Sequence, residues 1–577
     1  MVSEKKGMKL ENTVSLFISR SAHRSSEMNK TGSWRFSLPV YKDKTAPCSA
    51  ACPTGTEIPR VEMHMSRGEV RKAWEKIIWE NPFPAVCGRV CFHECEGACN
   101  RKNLDSAVGI NSLEKFIGDI ALSESYTFDE VEGTTNKRVA IIGAGPSGLS
   151  AAYFLSKLGF LCEVFEKESE AGGVMRWGIP SYRLPKNILL DEIKRIEELG
   201  IKIHCNRELS IDEFNNIKNE FDAVYLGCGL GASISPGFEG ESLLEEGSIF
   251  LKRVESEKMS LDGQDIAVIG GGNTAIDVAR SLIRTGAKAT ILYRRRKEDM
   301  PAFIHEISAA EDEGVKIVEL VSPTCVKHKG EMLEIDLQEM TTGDIDSHGR
   351  MSVRPLGGKR SLIYNKIISG IGNQIKDTWH SPDQNNSKME LKNSIIDITG
   401  DTPLVYGGDL TNKNQSVSDA IASGKEIAIV LDLHFKGDSD IIDSLEKCRV
   451  GVNAISFEIY RGGRKQYKEF VEFKNVNIDY FDKEDRNELP QISKEESINS
   501  FNEVEKNYTF QMAANEALRC FNCGVCNDCD NCRVFCPDAS IIIEDGKRVI
   551  KTDFCKGCGV CVTECPRSAM GMEEEKV

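Results

Sequence analysis

Hydrophobic positions along the chain change period several times, and each change marks an element or a boundary. Between 58 and 84 apolar residues recur at helical spacing (Val70, Ala73, Trp74, Ile77, Ile78). That predicts helices flanked by loops, and the nearby cysteines fall on the loops. At 138 the pattern switches. RVAIIGAGPSGLSAAYFLSKLGFLCEVFEK (138–167) reads as buried strand, glycine turn, helix and strand, and DIAVIGGGNTAIDVARSLIRTGAKATILYRRR (265–296) repeats the sequence of elements. Strand-like runs follow at 364–372 and 403–409, then a long helix capped by Ser416. Residues 437–510 are charged and mixed, and predict an extended arm. The last 60 or so residues form a cysteine-rich block.

Composition narrows the class. The 577 residues carry 73 Lys and Arg against 89 Asp and Glu, a net charge of −16, which argues against nucleic-acid binding. No apolar run reaches the roughly 18 residues of a membrane helix, so no membrane insertion is expected. The first twenty residues lack the apolar core of a secretory leader, which points to a cytoplasmic protein. Twenty-one cysteines in such a chain imply metal or redox centres rather than disulfides. Six lie between Cys48 and Cys99 and ten between Cys520 and Cys565. The other five (Cys162, Cys205, Cys228, Cys325, Cys448) read as small apolar side chains. The nine histidines have no metal-ligand spacing, and there is no nucleophile elbow, P-loop or catalytic carboxylate pair.

The two glycine turns carry opposite electrostatics. Gly143, Gly145 and Gly148 give a tight turn, close approach to a pyrophosphate, and close helix–strand packing. A helix N-terminus there favours the phosphate charge. Glu166, 23 residues after Gly143, can accept hydrogen bonds from ribose hydroxyls and would repel a 2′-phosphate, so this unit suits FAD or NAD. In the second unit Gly270 and Gly272 precede Asn273 and Thr274, and the position matching Glu166 holds Arg294, followed by Arg295. Guanidinium groups there suit a 2′-phosphate. The economical reading is FAD in the first fold and NADP(H) in the second, with NAD(H) possible and a solvated basic loop as the alternative for the arginines.

The C-terminal cysteines repeat one spacing twice, Cys526-x2-Cys529-x2-Cys532-x3-Cys536-Pro and Cys555-x2-Cys558-x2-Cys561-x3-Cys565-Pro. This is the two-cluster bacterial ferredoxin pattern, in which the fourth cysteine of each run ligates the other cluster. One [4Fe–4S] cluster would use Cys526, Cys529, Cys532 and Cys565, and the other Cys555, Cys558, Cys561 and Cys536. Four-cysteine zinc sites use separated CxxC pairs instead.

Several words in family order, among them VAIIGAGPSGLSAA, AGGVMRWGIPSYRLPK, AVIGGGNTAIDVA, YRRRKEDMPA and YGGD with SVSDAIASGKEIA, resemble the small, electron-input subunit of NADPH-dependent glutamate synthase. They also resemble dihydropyrimidine dehydrogenase and the large subunit of the NADH-dependent ferredoxin:NADP oxidoreductase. The resemblance covers roughly 45–435. It implies an α/β flavoprotein with two nested Rossmann-like dinucleotide-binding domains, an α-helical N-terminal iron–sulfur domain and, appended here, an α+β bacterial-type ferredoxin domain. The expected segments are 1–130 (helical iron–sulfur), 131–245 and 365–436 (FAD), 246–364 (NAD(P)), 437–510 (arm) and 511–577 (ferredoxin-like). By the resemblance Glu166, Gly173, Arg183 and Leu184 line the FAD site. Gly408 and Asp409 reach the ribityl chain, and the helix opening at Ser416 faces the flavin.

CPTGTEIP, NPFPAVCGRVC and CEGACNR resemble the same family's N-terminal domain, which holds two [4Fe–4S] clusters. A CxxC pair expected ahead of Cys48 is replaced by VYKDKTAP. The family gives one cluster a non-cysteine ligand in a helix matching INSLEKF, which makes Glu114 the candidate, and Cys87 matches a cysteine that is not a ligand. Ligand counting then matters. The N-terminal segment offers Cys48, Cys52, Cys91, Cys95, Cys99 and Glu114, two short of eight. The ferredoxin runs leave Cys520 and Cys523 over, in NEALRCFNCGVC, which resembles the missing pair. We expect Cys520 and Cys523 to join Cys48 and Cys99 on one cluster, and Cys52, Cys91, Cys95 and Glu114 to hold the other. TGSWRF and EALRCFNCGVC further resemble electron-transfer flavoproteins of anaerobic 2-oxoacid oxidoreductases and of dissimilatory sulfite reductase. The expectation is an enzyme passing electrons between NAD(P)H, FAD and iron–sulfur clusters, to or from ferredoxin or a redox partner subunit of a hetero-oligomeric complex. The alternatives are an electron-bifurcating subunit and a non-catalytic iron–sulfur wiring subunit.

Overall fold

A computed structural model of the chain describes residues 30–575 apart from 130, 132, 346–350, 377–387, 398–401, 413 and 453; the leader expectation at the N-terminus lies outside these residues. The chain divides into two compact units, one of 1–46, 467–483 and 521–577, the other of 47–466 and 484–520.

The larger unit contains both nucleotide folds. In the first, five parallel strands run in the order Leu404–Gly407, Ala223–Leu226, Arg138–Ile142, Leu161–Phe165, Lys202–His204, and two antiparallel strands extend the edge at Leu404–Gly407. Val139, Ala140 and Ile141 are wholly buried, as a parallel strand covered on both faces requires. The chain leaves this sheet after Leu226 and returns to it at Lys388, so the second fold is nested inside the first. The second sheet is also parallel, in the order Lys316–Val318, Lys288–Leu292, Asp265–Ile269, Lys366–Ser369, Glu245–Glu246. The strand Lys366–Ser369 pairs with Asp265–Ile269, which corrects the expected boundary at 364/365. Its Ile367 and Ile368 are fully buried in the second fold's core, where a return to the first fold could not place them.

Short helices build the N-terminal part of this unit: Ile58–Ser66, Val70–Ile78, Pro84–Val90 and Ile110–Ser123. Val70, Ala73, Trp74, Ile77 and Ile78 form the buried stripe of the second. The region 437–510 is not simply an extended arm. It carries helices Ile441–Glu446, Phe457–Tyr460 and Lys494–Asn499, and its parts outside 467–483 belong to the larger unit, held there by ion pairs such as Arg89 with Glu503 at 2.8 Å. The helix Phe510–Leu518 also belongs here, not with the ferredoxin-like segment.

The smaller unit is the ferredoxin-like fold, with a hairpin of Ile541–Glu544 and Lys547–Ile550 and short helices Asn531–Val534 and Val560–Thr563. Its other strand pair joins Ser37–Tyr41 to Met570–Glu574. Residues 30–46, expected in the helical iron–sulfur domain, are therefore part of the ferredoxin-like unit. Backbone pairing across the whole length of the chain makes that assignment, and no local pattern encodes it. Among the described residues no helix is long and apolar enough to cross a membrane.

Candidate redox site

The first glycine turn is shaped for a dinucleotide. A Cβ on Gly148 would lie 1.9 Å from the Gly143 carbonyl oxygen, so the helix Pro146–Lys157 can approach the strand only without a side chain there. Gly173 has φ 53°, and a Cβ on it would meet the Gly145 Cα at 2.8 Å. Two backbone segments thus close on one another beside the helix N-terminus. Glu166 is buried, and its oxygens accept from the Ala144 N–H at 2.8 Å and the Glu168 N–H at 2.9 Å. A carboxylate fixed by two backbone donors keeps lone pairs for ribose hydroxyls. These features fit FAD. Asp409 sits in the turn Gly408–Leu410 at the end of Leu404–Gly407, and burial together with Asp419 raises its carboxyl to about 6. The Gly408 N–H donates to Ser423 Oγ at 2.9 Å. Ser416 caps the helix Val417–Phe435 by accepting from the Asp419 N–H at 3.0 Å. Leu184 is fully buried.

Arg183 is placed differently from the expectation. Its guanidinium pairs with Asp277 at 2.8 Å and Glu306 at 3.0 Å, both from the second nucleotide fold, and it lines a cleft of about 400 Å³ with Arg280, Phe303 and His305. It links the two folds, and its charge is spent on those acids.

In the second turn the N-terminus of helix Asn273–Arg284 is open at Gly272, and Asn273 Oδ1 accepts from the Phe303 N–H at 3.1 Å. The strand Lys288–Leu292 leads to Arg294, which is exposed and has no ion pair among the described residues. Arg295 Nε donates to the Met351 carbonyl at 3.1 Å, and Arg296 pairs with Asp299 at 2.9 Å. The site fits a phosphorylated nicotinamide nucleotide best through Arg294.

The cysteines surround three cavities. One is ringed by Cys526, Cys529, Cys532 and Cys565, with the Tyr41 hydroxyl 3.3 Å from Cys532 Sγ. Another is ringed by Cys536, Cys555, Cys558 and Cys561, with Ser540 N–H donating to Cys536 Sγ at 3.3 Å. Each set draws its fourth cysteine from the other run. The third, in the larger unit, is lined by Cys52, Cys91, Cys95 and Glu114, together with Cys87, Glu62 and Asn81. Among the described residues no group of three or more His, Cys, Asp or Glu converges on a point as a single ion demands. Three cysteines and a carboxylate around one void fit a 4Fe-4S cluster. Burial, then Glu114 and Cys52, pushes the Cys91 thiol up to about 12, and burial raises Glu114 to about 8 against the Asn81 amide that donates to it at 2.9 Å. Such groups ionise when a cation occupies the cavity.

Sequence reasoning missed the residues that join these sites. Cys91 Sγ lies 3.7 Å from Ser418 Oγ, and Ser418 Oγ lies 3.1 Å from Ser416 Oγ. Lys425, two turns further along the same helix, donates to the Thr54 carbonyl beside Cys52 and to Glu80 at 2.5 Å. The signal was present only as polar residues, Ser418 and Lys425 among them, set in a largely apolar helix.

These folds and cysteine sets define an FAD- and NAD(P)H-dependent oxidoreductase with 4Fe-4S clusters. Residues 137–424 match the family model for pyridine nucleotide-disulphide oxidoreductases, 40–126 that for dihydropyrimidine dehydrogenase domain II, 4Fe-4S cluster, and 548–570 that for a 4Fe-4S binding domain. The chain is 32% identical over 519 residues to the NADP(+)-dependent formate dehydrogenase subunit beta of Moorella thermoacetica, covering 83% of this chain and 70% of that protein. It is 30% identical over 515 residues to the NADPH-Fe(3+) oxidoreductase subunit beta of Geobacter sulfurreducens, covering 83% and 75%. To the glutamate synthase [NADPH] small chain of Halomonas elongata it is 30% identical over 404 residues, covering 66% and 86%. The chain belongs to the glutamate synthase small-chain family of FAD and iron–sulfur oxidoreductases.

Proposed function

We propose that this chain exchanges electrons between NADP(H) and a one-electron partner, a ferredoxin or another subunit of a hetero-oligomeric oxidoreductase such as one acting on 2-oxoacids. The observation that carries this reading is the contact of Cys91 with Ser418, two residues after the cap of the helix proposed to face the flavin. One helix turn thus serves the FAD site and the cluster cavity together. Bound FAD supplies the conversion between two-electron hydride chemistry and one-electron transfer, and the clusters carry single electrons. The chain's own contribution is placement. Gly143, Gly145, Gly148 and Glu166 would hold the dinucleotide and its ribose. Asp409 would accept from the ribityl chain. Arg294, assisted by Arg295, would hold the 2′-phosphate, with Gly270, Gly272, Asn273 and Thr274 at the pyrophosphate. The relatives named as beta subunits support assembly with further subunits. Cysteines set aside for cluster ligation, rather than for disulfides, suit the reducing cytoplasm, which is where we place the protein.

Ligand sets remain part of the proposal. Cys52, Cys91, Cys95 and Glu114 hold one N-terminal cluster, and the ligand count keeps Cys520 and Cys523 with Cys48 and Cys99 for the other. Anaerobically purified protein should then hold about 16 irons, four for each of four cubanes. Replacing Cys520 and Cys523 by serine should remove about four of these and leave both ferredoxin-type EPR signals. An unchanged iron count sinks that assignment. For the function as a whole, the flavin absorbance should bleach on NADPH addition and the cluster signals should follow. Bleaching without reduction of any cluster refutes the proposed path.

A further inference from the structure

Glu62 stands out in the cluster cavity. It lies on helix Ile58–Ser66, is 1% exposed, and lines the cavity with Cys52, Cys91, Cys95 and Glu114. Its Oε2 has no hydrogen-bond partner. The charged groups felt most strongly there are Glu516, Glu114 and Glu96, all acids. Each of those has a donor of its own. Arg519 pairs with Glu516 at 2.6 Å, Arg486 with Glu96 at 2.6 Å, and the Asn81 amide serves Glu114. Among the described residues no cation pairs with Glu62. An ionised carboxylate cannot be sustained at such a site without a partner, so the side chain is a neutral acid with one O–H to donate. The chemistry that could take this hydrogen bond is a sulfur acceptor in the cavity itself.

We propose that Glu62 is a hydrogen-bond donor to the cluster held by Cys52, Cys91, Cys95 and Glu114, and that it raises the reduction potential of that cluster without ligating it. The inference rests on the ligand set proposed above. Hydrogen bonds to cluster sulfurs stabilise the more negative, reduced state and are one of the levers that set the potential. A donor at this point would favour arrival of the electron at the first cluster beyond the helix capped by Ser416.

The test uses the full chain with its clusters loaded. The EPR signal lost in C91S is followed through an anaerobic redox titration of the unmodified protein, of E62Q and of E62M. Gln keeps an N–H donor, while Met keeps the length and has none. Iron content should be equal in all three. In E62M the reduced-to-oxidised ratio at a fixed potential should fall at least about tenfold, which is 59 mV for a one-electron couple, and E62Q should stay close to the unmodified protein. Should E62M load poorly, E62L provides the same comparison. A titration of the donor-free variant that superimposes on the unmodified protein overturns the inference alone. Loss of iron in E62Q also overturns it, because it makes Glu62 a ligand. Absence of any signal sensitive to C91S overturns the ligand set and this inference with it.

Discussion

Nucleotide choice should hang on one guanidinium more than on its neighbours. The strand Lys288–Leu292 delivers three consecutive arginines to the edge of the second nucleotide fold, and the structure separates them. Arg296 is held by Asp299 at 2.9 Å, Arg295 Nε is committed to the Met351 carbonyl at 3.1 Å, and Arg294 is exposed with no ion pair among the described residues. A charge-assisted hydrogen bond is worth about 1.5–3 kcal/mol. The site is open to solvent, so screening selects the lower end of that range, about 1.5 kcal/mol or roughly tenfold. Arg294→Ala should therefore raise the KM for NADPH about tenfold, leave that for NADH within about twofold, and exceed the effect of Arg296→Ala. The assay is anaerobic reduction of an artificial one-electron acceptor at fixed ionic strength, with each nucleotide varied in turn, because salt weakens exposed charge contacts. Equal losses for NADPH and NADH in Arg294→Ala, or a larger loss in Arg296→Ala, would refute this reasoning.

Two further outcomes test the packing around the cofactors. Lys425 and Glu80 are a fully buried pair, and Lys425→Met leaves Glu80 with the more distant Arg464 guanidinium at 3.6 Å, which should cost about 3 kcal/mol, with Lys425→Met plus Glu80→Gln losing less than the single change. Thermal unfolding of the two variants measures this, and a single variant as stable as the parent contradicts it. The Asp409 carboxyl is raised from 3.8 to about 6, so the folded chain retains a proton that the unfolded chain has released, and flavin-free protein should lose stability as pH rises through that window, by up to about 3 kcal/mol. Asp409→Asn should flatten the pH profile between 4 and 6; a profile identical to that of the parent would place the titration elsewhere.

What could be read from the chain alone was local. The turn at Gly143–Gly148 and the ferredoxin-type runs from Cys526 and Cys555 confine their requirements to a few residues, so spacing expresses them directly. Glu114 was indicated only by the family resemblance, and the helix Ile110–Ser123 places it on the cavity wall. Tertiary structure decided whatever depends on partners remote in sequence. Strand Ser37–Tyr41 lies against Met570–Glu574, and Lys366–Ser369 lies in the second sheet rather than the first. The Arg183 guanidinium goes to Asp277 and Glu306, and a serine in an apolar helix meets Cys91. Glu62 falls at a helical position that could equally have faced water. Strand pairing and helix facing are chosen by the burial of whole apolar surfaces against one another, a global balance in which one residue's neighbours in sequence have little weight.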